Sequence, residues 1–95
     1  MKKEKGKVKI YDEYALANVL GVELDHNGYR GGNESHGGFV KIKFKDLACT
    51  SMYLNGEEVE EFEFEFRGDH ERYTLLKALK MIVEELQKDE DENQL

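Results

Sequence analysis

Between Val59 and Leu86 the spacing of apolar positions changes once, from every second residue to a helical repeat. Phe62, Phe64 and Phe66 alternate with Glu61, Glu63 and Glu65, which sets three rings on one face of a strand and three carboxylates on the other. Phe favours strands and Glu disfavours them, so alternation rather than propensity identifies the element. Arg67-Gly68-Asp69 interrupts the pattern. Beyond it Leu75, Leu76, Leu79, Ile82, Val83 and Leu86 fall on one stripe of a helix. Asp69 is the predicted N-cap, and Glu71 suits the positive end of the helix dipole. Burying a ring or branched chain contributes roughly 1.5–3 kcal/mol, while fixing backbone costs about 1–2 kcal/mol per residue. Neither element is stable by itself, so the Phe face and the apolar stripe are expected to pack on each other.

The rest of the chain supplies further strands. Lys7 to Tyr11 alternates and reads as a short strand. Asp12 is placed to cap a short helix over 13–20, with Ala15, Leu16, Val19 and Leu20 inward and Gly21 as its stop; a competing reading makes 19–24 a strand. Over 39–45, Val40, Ile42 and Phe44 alternate with Lys41, Lys43 and Lys45. A weaker strand over 48–54 leads into Asn55-Gly56, a strong hairpin signal. With two-residue loops at Asn55-Gly56 and at Asp46-Leu47, Met52 pairs with Val59, and Cys49 pairs with both Phe44 and Phe62. Lysine and glutamate rows then lie two strand spacings apart, about 10 Å. This register puts Tyr53 on the core side; Tyr73 flanks the core. The fold class is α+β: an antiparallel meander of three to four strands, a C-terminal amphipathic helix on one face, and a short N-terminal helix. Residues 1–6 form a basic arm expected to be mobile, 7–88 one domain, and 89–95 an acidic tail. Carboxylates oppose the dipole at a helix C-terminus, so fraying is expected near Lys88.

Composition narrows the function classes. Ninety-five residues, 39% hydrophobic, can hold one core without a disulfide or structural metal. No apolar run approaches a membrane span, and the start, MKKEKGK, lacks the apolar segment of a secretory leader. The single cysteine, Cys49, has no partner for an internal disulfide; a reducing cytoplasm is the expected compartment. Residues 1–45 carry nine basic and six acidic groups and residues 46–95 five and fifteen, balances of +3 and −10 that give the net −7. That balance argues against non-specific nucleic-acid binding, which needs a basic footprint, and favours a partner with a basic surface.

Two surfaces carry candidate chemistry. One is the acidic run Glu57, Glu58, Glu60, Glu61, Glu63 and Glu65. Same-face carboxylates on a strand sit roughly 7 Å apart, a spacing that resembles successive phosphates, so the row could occupy the nucleic-acid-binding groove of a partner; a plain solvated strand face is the alternative. The other is the segment 25–38, DHNGYRGGNESHGG, in which five of fourteen residues are glycine. Asp25, His26, Tyr29, Arg30, Glu34 and His36 could serve a small ligand or a metal there, as the alternative function. The ten-residue spacing of His26 and His36 fits no zinc pattern, and the glycines lack the Lys-Ser/Thr ending of a phosphate loop. No catalytic residue, cofactor or metal is assigned. Cys49 reads as a small buried residue, and His70 as a surface residue at the helix start. Met52, Leu54 and Val59 form an apolar patch suited to a homodimer. In general build, a small acidic meander with one helix, the chain is similar to inhibitor and accessory proteins of phages and mobile elements. The likeness is one of build, and it implies a protein-binding module acting as an inhibitor of a basic partner, not an enzyme.

Overall fold

A computed structural model describes residues 8–28 and 38–93. Among these residues six strands precede one helix: β1 (Val8–Ala15), β2 (Val19–His26), β3 (Phe39–Ala48), β4 (Met52–Leu54), β5 (Glu57–Val59), β6 (Glu61–Arg67) and α1 (Asp69–Asn93). The main sheet is antiparallel, in the order β1-β2-β3-β6, and β4-β5 forms a separate two-stranded hairpin. The α+β class with a C-terminal helix matches the reading of the pattern.

The expected helix over 13–20 is not formed. Tyr14 and Ala15 end β1, a turn spans Leu16–Asn18, and Val19 begins β2, as in the competing reading. Short apolar runs fit both periods, and here pairing decides. Val8, Ile10 and Tyr14 stand opposite His26, Leu24 and Leu20 in an eight-residue ladder. An eight-residue helix would have had to offset a costly nucleus by itself.

Apolar positions collect on one face. Val22 pairs with Phe44 and Leu24 with Ile42; across β3, Val40, Ile42 and Phe44 meet Phe66, Phe64 and Phe62. The Phe44 and Phe62 rings lie 5.5 Å apart between centroids, tilted by 41°, a favourable arrangement for an aromatic pair. Val40, Ile42 and Leu75 form the buried centre, with Leu24, Phe44, Phe64 and Leu79 against it. The helix contacts β3 and β6. From Lys80 to Glu92 its side chains are exposed, Ile82, Val83 and Leu86 included.

The helix does not end near Lys88 but continues through Asn93. Neither glycine nor proline stops it, and side chains one turn apart bridge the acidic segment: Lys88 to Glu85 at 3.0 Å and Gln87 to Asp91 at 3.1 Å. At its other end Gly68, at φ +112°, precedes the first turn, and its carbonyl accepts the Arg72 N–H. Gly68 therefore holds the cap position, and Asp69, the predicted cap, stands one residue inside it, where its Oδ1 accepts from the Gly38 N–H at 3.0 Å.

The register of the central hairpin differs from the simplest expectation. Asn55 and Gly56 both have positive φ, +52° and +86°, the geometry of a primed turn, and Met52 does pair with Val59. Asp46-Leu47, however, is no turn; β3 runs through it to Ala48. Phe44 pairs directly with Phe62, so Cys49 lies between neither. It is exposed and at φ +57°, in a bend that separates β3 from β4. Asp-Leu lacks the residues a two-residue turn needs, and Cys49 takes the left-handed position instead. Tyr53, expected on the core side, is exposed, as is Tyr73, whose ring lies under Lys77 Nζ.

Thr50 fastens this bend to the β1–β2 turn. Its N–H donates to Asp46 Oδ1 at 2.9 Å, its hydroxyl donates to the Val19 carbonyl at 2.8 Å, and Asn18 Nδ2 donates to the hydroxyl at 2.9 Å. Thr50→Val keeps the shape and removes the hydroxyl. The expected loss is about 1–2 kcal/mol, read as a lower urea midpoint at unchanged slope.

Candidate functional site

Opposite the apolar face the sheet is a charged lattice. Glu23 and Asp25 of β2 stand beside Lys43 and Lys41 of β3, and Lys41, Lys43 and Lys45 stand beside Glu65, Glu63 and Glu61 of β6. Lys43 Nζ lies 3.5 Å from Glu61, Lys45 Nζ 3.8 Å from Glu23, and Lys9 Nζ 3.9 Å from Asp25. The lysine row is thus next to the glutamates, one strand away rather than two, because no strand intervenes between β3 and β6. Each such pair is partly in water and contributes about 0–1 kcal/mol. Their combined effect is register: a one-residue slip would move every charge into the apolar face.

Among the described residues β6 pairs with β3 only, so β6 is an edge strand. Glu61, Glu63 and Glu65 are exposed along it. Glu57 and Glu58 on β5 and Glu60 between the strands are exposed too, which extends the acidic edge toward the Asn55-Gly56 tip. An edge leaves backbone N–H and C=O groups available to another strand. At the far end Arg67 Nε reaches Glu65 at 2.9 Å.

On β1 Tyr11 stands beside Glu23 in this lattice, whereas Tyr14, three residues on, lies on the other face. The Tyr11 hydroxyl donates to Glu13 Oε2 at 2.9 Å, and that bond, with weaker help from desolvation and neighbouring carboxylates, holds its phenol above the usual range. Asp12 does the same for Tyr14, by hydrogen bond and then by charge.

The ligand set suggested by segment 25–38 is divided. Asp25 and His26 are adjacent on a strand and so point to opposite faces. Asp25 joins the charged lattice. His26 lies on the apolar side, where its Nδ1 lies 3.2 Å from Arg72 Nη1 and 3.2 Å from the Gly28 N–H. Tyr29, Arg30, Glu34 and His36 lie outside the described residues, as does the arm over 1–6. Among the described residues no three of His, Cys, Asp and Glu gather as a metal site would require. Met52, Leu54 and Val59 sit on the separate β4–β5 hairpin, Leu54 exposed and the other two half-buried.

Among the described residues no helix is long and apolar enough to cross a membrane. Compared with protein-family models, with curated proteins and with solved structures, the chain matches none.

Proposed function

We propose that this chain is a protein-binding module whose acidic edge, Glu57, Glu58, Glu60, Glu61, Glu63 and Glu65, takes up a basic segment of a partner protein, with β6 receiving it as an added strand. The observation that carries this reading is the pairing already made on the inner side of β6. There a strand alternating lysine with apolar residues, β3, matches Glu for Lys and Phe for Val, Ile and Phe. The outer side offers the same alternation, so it suits a second strand of that kind. Backbone hydrogen bonds would supply affinity and the alternation specificity. Edge-to-edge pairing with β6 of another copy would set glutamate against glutamate, which disfavours it. Binding of this kind inhibits a partner whose own activity uses that basic segment.

The test is titration with a labelled peptide alternating lysine and valine over the length of β6. Binding is expected to weaken with salt, and amide shifts in an NMR spectrum should concentrate on 57–67. Glu61→Gln, Glu63→Gln and Glu65→Gln together should weaken it roughly tenfold, at about 0.2–1 kcal/mol for each exposed pair. Glutamine is preferable to lysine here, because three lysines would face Lys41, Lys43 and Lys45 and loosen the sheet itself. Undiminished binding by the triple variant, or shifts confined to other strands, would overturn the proposal.

A further inference from the structure

The apolar face of the sheet is wider than its cover. With α1 over β3 and β6, Val8 and Ile10 on β1 stay exposed, and a groove of about 240 Å³ runs between the helix and β2. Leu24, His26, Ile42, Arg72, Leu76 and Leu79 line it. The helix is too long for the sheet in turn. Its 25 residues extend about 37 Å, and Ile82, Val83 and Leu86 continue the stripe that Leu75 and Leu79 begin, at 45–63% exposure.

We propose that the second half of α1 docks on a second copy of this chain, with the two helices antiparallel about a twofold axis and Ile82 and Leu86 of each copy seated in the groove of the other. This contact is separate from the β6 edge and does not depend on it.

Charge order along the helix selects the occupant. Arg72, Lys77 and Lys80 fall in the first half, against Asp69 and Glu71 in the first turn, a balance of +1. Glu84, Glu85, Asp89, Glu90, Asp91 and Glu92 fall in the second, with Lys88 among them. A helix so ordered complements itself when reversed and repels itself when parallel. Setting Leu79 opposite Val83 of the second copy also sets Leu76 opposite Leu86 and Arg72 opposite Glu90, with Glu71 opposite Asp91 as the like-charged pair at the ends of the contact. The apolar pairs and the Arg72–Glu90 pair are satisfied in one register, and a uniformly basic partner would repel the net positive first half. Area agrees. Val8, Ile10, Leu76, Ile82, Val83 and Leu86, each 36–63% exposed, leave roughly 500 Å² of apolar side chain in water. A standard interface takes about 800 Å² per partner, a little over half of it non-polar.

Light scattering on the eluted full chain at micromolar concentration should give twice the 11.1 kDa of one copy. Val83→Glu and Leu86→Glu, at positions open to water in the single chain, should give the monomer mass with the circular-dichroism spectrum of a folded protein. Direction is tested by cross-linking in a Cys49→Ser background. Leu76→Cys with Leu86→Cys should form a covalent dimer on oxidation. Leu76→Cys by itself should not, because in the antiparallel pair its two copies lie ten residues apart along the helix, about 15 Å. A wild-type chain that stays monomeric, a Leu86→Glu variant that stays dimeric, or cross-linking by Leu76→Cys by itself would each overturn the proposal. So would a dimer abolished by Leu54→Glu and untouched by Leu86→Glu, which would place the contact on the β4–β5 hairpin.

Discussion

Leu75→Ala is expected to cost about 3 kcal/mol, within the 2–5 kcal/mol that such truncations span. The reason is how few side chains hold the helix down. Among the described residues only Val40, Ile42 and Leu75 form the buried apolar centre, at 8–9% exposure, and no side chain is fully buried. Leu75 is the helix's contribution to it. Truncation opens a cavity under α1 and frees the neighbouring Leu79, so the loss falls on the apolar contact between helix and sheet. A domain of this length has a total stability of about 5–14 kcal/mol, and the variant would lose a large part of it. Urea denaturation measures the effect. Met81→Ala, on the water side of the same helix, should stay within about 0.5 kcal/mol. A loss below about 1 kcal/mol at Leu75 would mean that the helix is held elsewhere.

Gly38→Ala is the second large effect, expected at about 2–4 kcal/mol from overpacking plus weakened hydrogen bonds. Gly38 is buried where the end of β2, the start of β3 and the start of α1 converge. A Cβ there would overlap the Gly28 carbonyl oxygen and come within 3.0 Å of Asn27 Oδ1. That Asn27 oxygen already accepts the Phe39 N–H at 2.8 Å. The Gly38 carbonyl accepts the Gly68 N–H at 2.6 Å. Because the obstruction is backbone, no rotamer change relieves it. Gly56→Ala is the informative contrast: a Cβ there meets nothing within 4 Å, and only the positive φ is charged against it, about 1–2 kcal/mol. Equal losses at the two glycines would show that crowding at Gly38 is relieved by movement of the 27–28 backbone.

Where a segment's two faces differ sharply, its structure was legible from the residues. The Phe/Glu and Lys/apolar alternations became β6 and β3, the Leu stripe became α1, and Asn55-Gly56 became the turn it signals. Where both periods fit, as from Ala15 to Leu20, the outcome depended on pairing with a strand elsewhere in the chain. The bend at Cys49 was hidden because nothing in Ala48-Cys49-Thr50 marks a left-handed residue; its cause is the set of hydrogen bonds Thr50 makes with residues far along the sequence. Of the candidate surfaces, the acidic row was legible as residues, but its position on an edge was not, since strand order is non-local. The uncovered groove was missed although a signal existed. A helix of seven turns set against a seven-residue strand, about 37 Å against about 23 Å, must overhang it.

The strand order β1-β2-β3-β6 has a kinetic consequence. Every sheet neighbour is either next along the chain or separated only by the β4–β5 hairpin, so no pairing has to wait for a distant part of the chain. Formation of the Asn55-Gly56 hairpin draws the ends of β3 and β6 together before they register, and the helix that covers them follows β6 directly. No connection between paired strands exceeds twelve residues, which favours fast folding among sheet proteins. With no proline in the sequence, no peptide isomerisation delays any fraction of the molecules. Dilution from urea should therefore return the native signal in one exponential phase, with the time set by hairpin closure and the docking of α1.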